Sequence, residues 1–124
     1  MNHQNFSPDE IALARRLRDA GLPWTPAVGH YVYDESGIIE APSPFQDRVY
    51  FILDLKHFLR RSETIDGLIR AVFWLPDWRQ TRALLRARGV SDETVIAHLS
   101  REHAMEQGAE LIALYRLLLA KLEE

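Results

Sequence analysis

His30-Tyr31-Val32-Tyr33-Asp34-Glu35-Ser36-Gly37-Ile38-Ile39-Glu40 decides the fold class. It is the one clear β signal in a chain that otherwise reads helical. His30–Asp34 alternates aromatic and β-branched residues, as a half-buried strand does. Glu35-Ser36-Gly37 supplies a turn in which glycine can take positive φ, and Ile38–Glu40 resumes the pattern, so a hairpin is expected. Two prolines in Ala41–Asp47 make the next stretch a loop. Arg48–Asp54 is an apolar run of strand length that would also suit the start of a helix running through Phe58; the strand is preferred. The expected sheet is three antiparallel strands within roughly His30–Asp54.

Outward from this stretch, both flanks are helical. Ser7-Pro8-Asp9-Glu10 is a strong helix start, with a capping serine, a proline suited to the first position and a glutamate that can reach back to the cap. Helix is predicted over Pro8–Ala20, closed by Gly21 and Pro23. On the other side, Lys56–Arg61, Ile65–Phe73 (capped by Ser62 or Thr64) and Asp77–Arg88 read as helices. A further helix starts at Ser91, Gly108 marks a break, and Ala109–Glu123 is the last helix. The fold class is therefore α+β: a small three-stranded antiparallel sheet with an N-terminal helix and four to five C-terminal helices. A chain of 124 residues implies one domain over residues 1–124, with 1–6 as a flexible tail.

Composition excludes several classes. Hydrophobic residues make up 47% and charged residues 27%, an ordinary globular balance. The absence of cysteine removes disulfides, thiolate metal sites and cysteine nucleophiles, and suits a reducing compartment. No signal-peptide pattern is expected at Met1–Asn5, and the apolar runs Ala71–Pro76 and Leu117–Ala120 are far shorter than the roughly 20 residues of a membrane span. The expectation is a cytoplasmic protein without a membrane partner.

The net charge of −3 discourages a purely electrostatic nucleic-acid binder, but the charge is unevenly spread. Residues 1–55 carry four basic and eight acidic side chains, residues 56–88 eight basic and three acidic, and residues 89–124 three basic and seven acidic. A basic block thus lies between two acidic ones. The blocks either neutralise one another within the fold or leave a basic face for an anionic partner.

Three groups of residues are candidate sites. Trp74 and Trp78, four apart around Pro76, together with Trp24, are candidates for a protein-partner surface or for plugging the core. The segment 80–99 runs through a helix to Gly89, Val90 and Ser91, with Thr94-Val95 and Leu99 packing the next helix back. It resembles the helix-turn-helix signature of DNA-binding regulators. That resemblance implies nucleic-acid binding by the corner at 77–99, with Arg79, Arg82, Arg86, Arg88, His98 and Arg101 as contacts. It departs from the signature at Leu85, where a small residue is usual, and at Asp92 and Glu93, which open the would-be recognition helix with the wrong sign for phosphate. Third, His30, Asp34, Asp54 and His57 could support acid–base chemistry at a sheet edge.

No cofactor or metal is expected. His98, Glu102 and Glu106 share a helix face, but a dicarboxylate site needs a second set of ligands. Gly-rich phosphate loops, Gly-x-Ser-x-Gly elbows and His-Glu-x-x-His motifs do not occur in the chain.

The leading expectation is a small non-enzymatic protein-interaction module of adaptor, inhibitor or regulator type, with a protein partner first and nucleic acid second. A small-molecule binder or enzyme at the sheet edge ranks third. The apolar residues of Ala109–Glu123 cover an arc of about 160°, which suits burial against the sheet and a neighbouring helix, the preferred reading, and would also suit a homodimer through the C-terminal helix.

Overall fold

The computed structural model describes residues 6–43, 46–60 and 65–124. It contains a three-stranded antiparallel sheet, an N-terminal helix and several C-terminal helices. The chain forms two compact units, Met1–Ser7 with Pro23–Leu75, and Pro8–Leu22 with Pro76–Glu124.

The first unit is built on the sheet. Strand β1 (Tyr31–Asp34) lies in the middle, between β2 (Val49–Phe51) and β3 (Val72–Leu75). Tyr31 pairs with Phe51 on one side and Leu75 on the other, and Tyr33 with Val49 and Phe73. The third strand is therefore not Ile38–Glu40, as the hairpin pattern suggests, but Val72–Leu75, where a helix through Phe73 was expected. The reason is Asp34. Its side chain is 1% exposed, and it accepts hydrogen bonds from the backbone amides of Gly37 (3.0 Å), Ile38 (3.1 Å) and Ile39 (2.8 Å). Those amides are bound to a carboxylate and cannot pair with β1. Helix α3 (Ile65–Ala71) instead ends one residue before the third strand begins.

Arg48–Asp54 divides between its two readings. Val49–Phe51 is strand, and helix α2 (Leu55–Leu59) follows, capped by the Asp54 carboxylate, which accepts from the His57 amide at 3.1 Å. Ser62 and Thr64 lie outside the described residues.

One sheet face carries Val32, Tyr50 and Trp74 in register, and Val32 belongs to a core with Ile39, Ile52, Phe58, Leu68 and Val72. The opposite face is aromatic: Tyr31 meets Phe51 at 4.7 Å between ring centroids, Tyr33 meets Phe73 at 5.2 Å, and Phe6 meets Tyr31 edge-on at 5.4 Å. Phe6 is only 2% exposed. Its amide donates to the Gln46 side chain at 2.8 Å, and its carbonyl accepts from the same side chain. It is thus a core residue rather than part of a flexible tail.

The second unit is helical. Helix α1 (Pro8–Asp19) buries Leu13, Ala14 and Leu17. It closes with Gly21 at φ 93° and the paired bonds Gly21 to Arg18 and Leu22 to Leu17, a Schellman motif. Helix α4 (Trp78–Ala87) starts with a reciprocal capping box between Asp77 and Gln80. Helix α5 (Asp92–Arg101) is capped by Ser91, the short α6 (Ala104–Gln107) follows, and α7 (Glu110–Leu122) is the hub. It packs against α1, α4, α5 and α6. Leu111, Ala113, Leu114, Tyr115, Leu118 and Leu119 are all buried. Most of the wide apolar arc is thus covered by neighbours in its own unit, with Ile112, Leu117 and Leu122 part-buried. The Tyr115 hydroxyl donates to the Pro76 carbonyl, and burial raises its pKa well above the ordinary phenol value. No helix among the described residues is long and apolar enough to cross a membrane.

The loop-holding carboxylate sets a measurable expectation. Asp34→Ala strands three amides and should cost about 3 kcal/mol, since hydrogen bonds to charged groups contribute about 1.5–3 kcal/mol each and are not additive. Asp34→Asn keeps one acceptor oxygen and turns an amide donor toward another donor, for about 2 kcal/mol. Urea melts would check this as a lowered midpoint with an unchanged slope.

Candidate functional site

The three tryptophans do not form one surface. Trp24 and Trp74 meet through His30 in the sheet unit. The Trp24 indole donates to His30 Nδ1 at 3.0 Å, and the His30 ring stacks on Trp74 at 4.7 Å. An indole nitrogen can only donate, so His30 Nδ1 is the acceptor in this pair. Both tryptophans are partly buried, and Trp24 packs on the core cluster. Among the described residues the Trp74 Nε1 atom is buried without a hydrogen-bond partner, at a cost of about 1–3 kcal/mol. Trp78 lies in the helical unit. It is 44% exposed at the start of α4, with the Arg82 guanidinium 5.1 Å above its ring.

The helical corner is held by charge. Asp92, the first residue of α5, receives hydrogen bonds from Arg82 and from Arg86 Nε, the latter at 3.1 Å. Arg82 and Arg86 are one helical turn apart on α4, so both reach the same carboxylate. The helix dipole also favours a carboxylate at this end of α5. These bonds hold the Asp92 carboxyl below its ordinary value, the Arg86 bond first and then the Arg82 bond.

Two of the arginines expected to meet phosphate are therefore turned inward onto the acid that seemed out of place. His98 Nε2 lies 3.0 Å from the Ala113 carbonyl, which can only accept, so the ring donates and ties α5 to α7. Arg79, Arg88 and Arg101 are exposed without an ion-pair partner among the described residues.

The sheet-edge groups do not converge. Asp34 stands at the opposite end of β1 from His30 and is occupied by three amides, and Asp54 caps α2. The His98, Glu102 and Glu106 face is dispersed as well: Glu102 pairs with Arg116 at 3.3 Å, and Glu106 lies 3.8 Å from His103. Among the described residues, no group of three or more acidic or histidine side chains is placed to hold a metal ion.

A different site emerges between α5 and α6. An open groove of about 480 Å³ is lined by Ile96, Leu99, Ser100, His103, Met105 and Glu106. Two of its walls are large apolar side chains in water: Ile96 is 64% exposed and Met105 is 74% exposed. The groove owes its shape to His103, which takes left-handed backbone angles (φ 52°, ψ 34°) between Glu102, the last cap of α5, and the start of α6. A non-glycine residue there costs about 1–2 kcal/mol, so the surrounding contacts hold the chain in this reversal. The sequence contained a trace of the groove: Ile96 and Met105 are apolar at positions that α5 and α6 cannot both bury. Val95 and Leu99 pack inward, and Ile96, adjacent to Val95, points about 100° away from it on the helix.

The Asp92 linkage has a defined sign. A depressed folded-state pKa means that its stabilising effect is present above about pH 4, the unfolded value, and is lost as pH falls through the lower folded value. A carboxyl-carbon NMR titration should place the Asp92 midpoint below the ordinary aspartate range, and Arg86→Ala should raise it. An unshifted midpoint in the wild-type chain would contradict the clamp. Comparison of the chain with protein-family models, curated proteins and solved structures finds no match, so the site rests on its own geometry.

Proposed function

We propose that this chain is a non-enzymatic protein-interaction module of adaptor, inhibitor or regulator type, and that the α5–α6 groove is its contact surface. The observation that carries this reading is the exposure of Ile96 and Met105 on either side of a groove of about 480 Å³. Exposed apolar side chains that share one concavity mark an interaction site, whereas singly scattered ones need no explanation. Methionine suits such a surface because its flexible, polarisable side chain adapts to different partners. A cytoplasmic setting is supported by the absence of cysteine. A nucleic-acid surface at the 77–99 corner draws less support, since Asp92 engages Arg82 and Arg86.

The rim suggests what the groove would take. Glu93 is exposed one turn before Ile96, and Glu106 lines the groove itself. A segment pairing apolar with basic residues fits these walls.

Panning a displayed peptide library against the full chain tests the reading. Retained peptides should be rich in apolar and basic residues and should lose roughly tenfold or more in affinity for the I96K/M105K variant. Peptides that bind wild type and variant equally would place binding elsewhere and end the assignment.

A further inference from the structure

The chain itself carries a surface that matches the groove. Helix α4 presents Trp78, Arg79, Ala83, Arg86 and Ala87 to solvent. At about 100° per residue, Trp78, Arg82 and Arg79 follow one side of the helix, with Trp78 at its N-terminal end, while Ala83 and Ala87 lie on the other side. Tryptophan and arginine are the residue types most enriched among side chains that dominate interface energies. Trp78 is 44% exposed with its ring already steadied by the Arg82 guanidinium at 5.1 Å, so little freedom remains to be lost on docking. Helix α4 itself carries Arg79, Arg82 and Arg86 and no acidic residue. The groove belongs to the acidic block, with three basic and seven acidic.

We infer that the groove's occupant is a second copy of this chain, which inserts the Trp78 face of its α4 between Ile96 and Met105. The inference rests on the docking reading above and names its partner. The indole would lie against Met105, a favourable sulfur–aromatic pairing, while Arg79 approaches Glu93 and Glu106. Face and groove are different patches of one molecule, so the contact is heterologous: each copy offers a face to one neighbour and a groove to another. Such contacts build rings or open filaments rather than twofold dimers. The patches are small beside the roughly 800 Å² per partner of a standard interface, so association should be weak, reversible and sensitive to salt.

Sedimentation velocity on the full chain over a concentration series provides the test. The wild-type average mass should rise with concentration and fall back at high salt. Trp78→Ala should weaken self-association roughly tenfold or more, and I96K/M105K should do the same from the opposite side. A mixture of these two variants is decisive, because one retains its groove and the other its face. Together they should form a dimer that does not extend, although each alone stays monomeric. If Trp78→Ala lowers the helical circular-dichroism signal, Arg79→Glu replaces it as the face-side variant. A wild-type chain that is monomeric at every concentration, an association unaffected by either variant, or a mixture that stays monomeric would overturn the inference. Should any of these occur while displayed peptides still require Ile96 and Met105, only the second copy falls and the docking reading stands. Loss of both results would remove both.

Discussion

One buried carboxylate organises the sheet unit. Asp34 closes the central strand, and its two oxygens accept from three consecutive backbone amides, Gly37 to Ile39. A buried charge without such partners would be prohibitive, and three amides without an acceptor would each be costly as well, so each requirement satisfies the other. The bonds turn the chain away from β1 and deliver Ile39 into the core. They also leave the edge of β1 open for Val72–Leu75. Around the same point the Asp34 amide donates to the Arg48 carbonyl at 2.8 Å and the Ser36 amide to the Ala71 carbonyl at 3.1 Å. Both flanking strands are thus anchored beside a single residue.

The helical unit solves a different problem. Its hub, α7, has too many apolar residues for one neighbour, and four helices cover it. Among the described residues of this unit two hydroxyls are buried, Tyr115 reaching the Pro76 carbonyl and Thr81 the Asp77 carbonyl. Charge is handled at the periphery, where Asp92 ties α4 to α5 through two arginines. The alternation of basic and acidic blocks along the chain is partly explained by this tie, which joins the basic segment to the acidic one that follows. The neutralisation is incomplete: Arg79 and Arg88 on one side and Glu93 on the other remain exposed. Those residues flank the two surfaces, α4 and the α5–α6 groove, that carry exposed Trp78, Ile96 and Met105.

Aromatic residues illustrate how far composition can mislead. Trp74 and Trp78 are four apart in sequence, yet Trp74 lies in β3 and stacks on His30, while Trp78 starts α4 and faces water. Their spacing around Pro76 suggested a shared cluster in a connection between helices. A strand in that position separates them instead. Trp24 was brought to Trp74 by the fold, through a histidine that no spacing rule connects to either.

Local chemistry by itself determined much of this protein. The capping residue Ser91, the glycines at 21 and 108, and the apolar periods of α1 and α7 depend only on interactions within a few residues, and each lies where its sequence indicates. The α+β class was legible for the same reason. Tertiary structure alone decided which segment completes the sheet, because Asp34 competes for amides that the alternating pattern of Ile38–Glu40 would otherwise commit to a hairpin. It alone decided that Arg82, Arg86 and Asp92 would neutralise one another, since pairing across a corner depends on the angle between two helices. The groove was settled at the same level: whether Ile96 and Met105 are covered depends on a left-handed turn at His103, a conformation in which histidine is enriched among non-glycine residues but still uncommon.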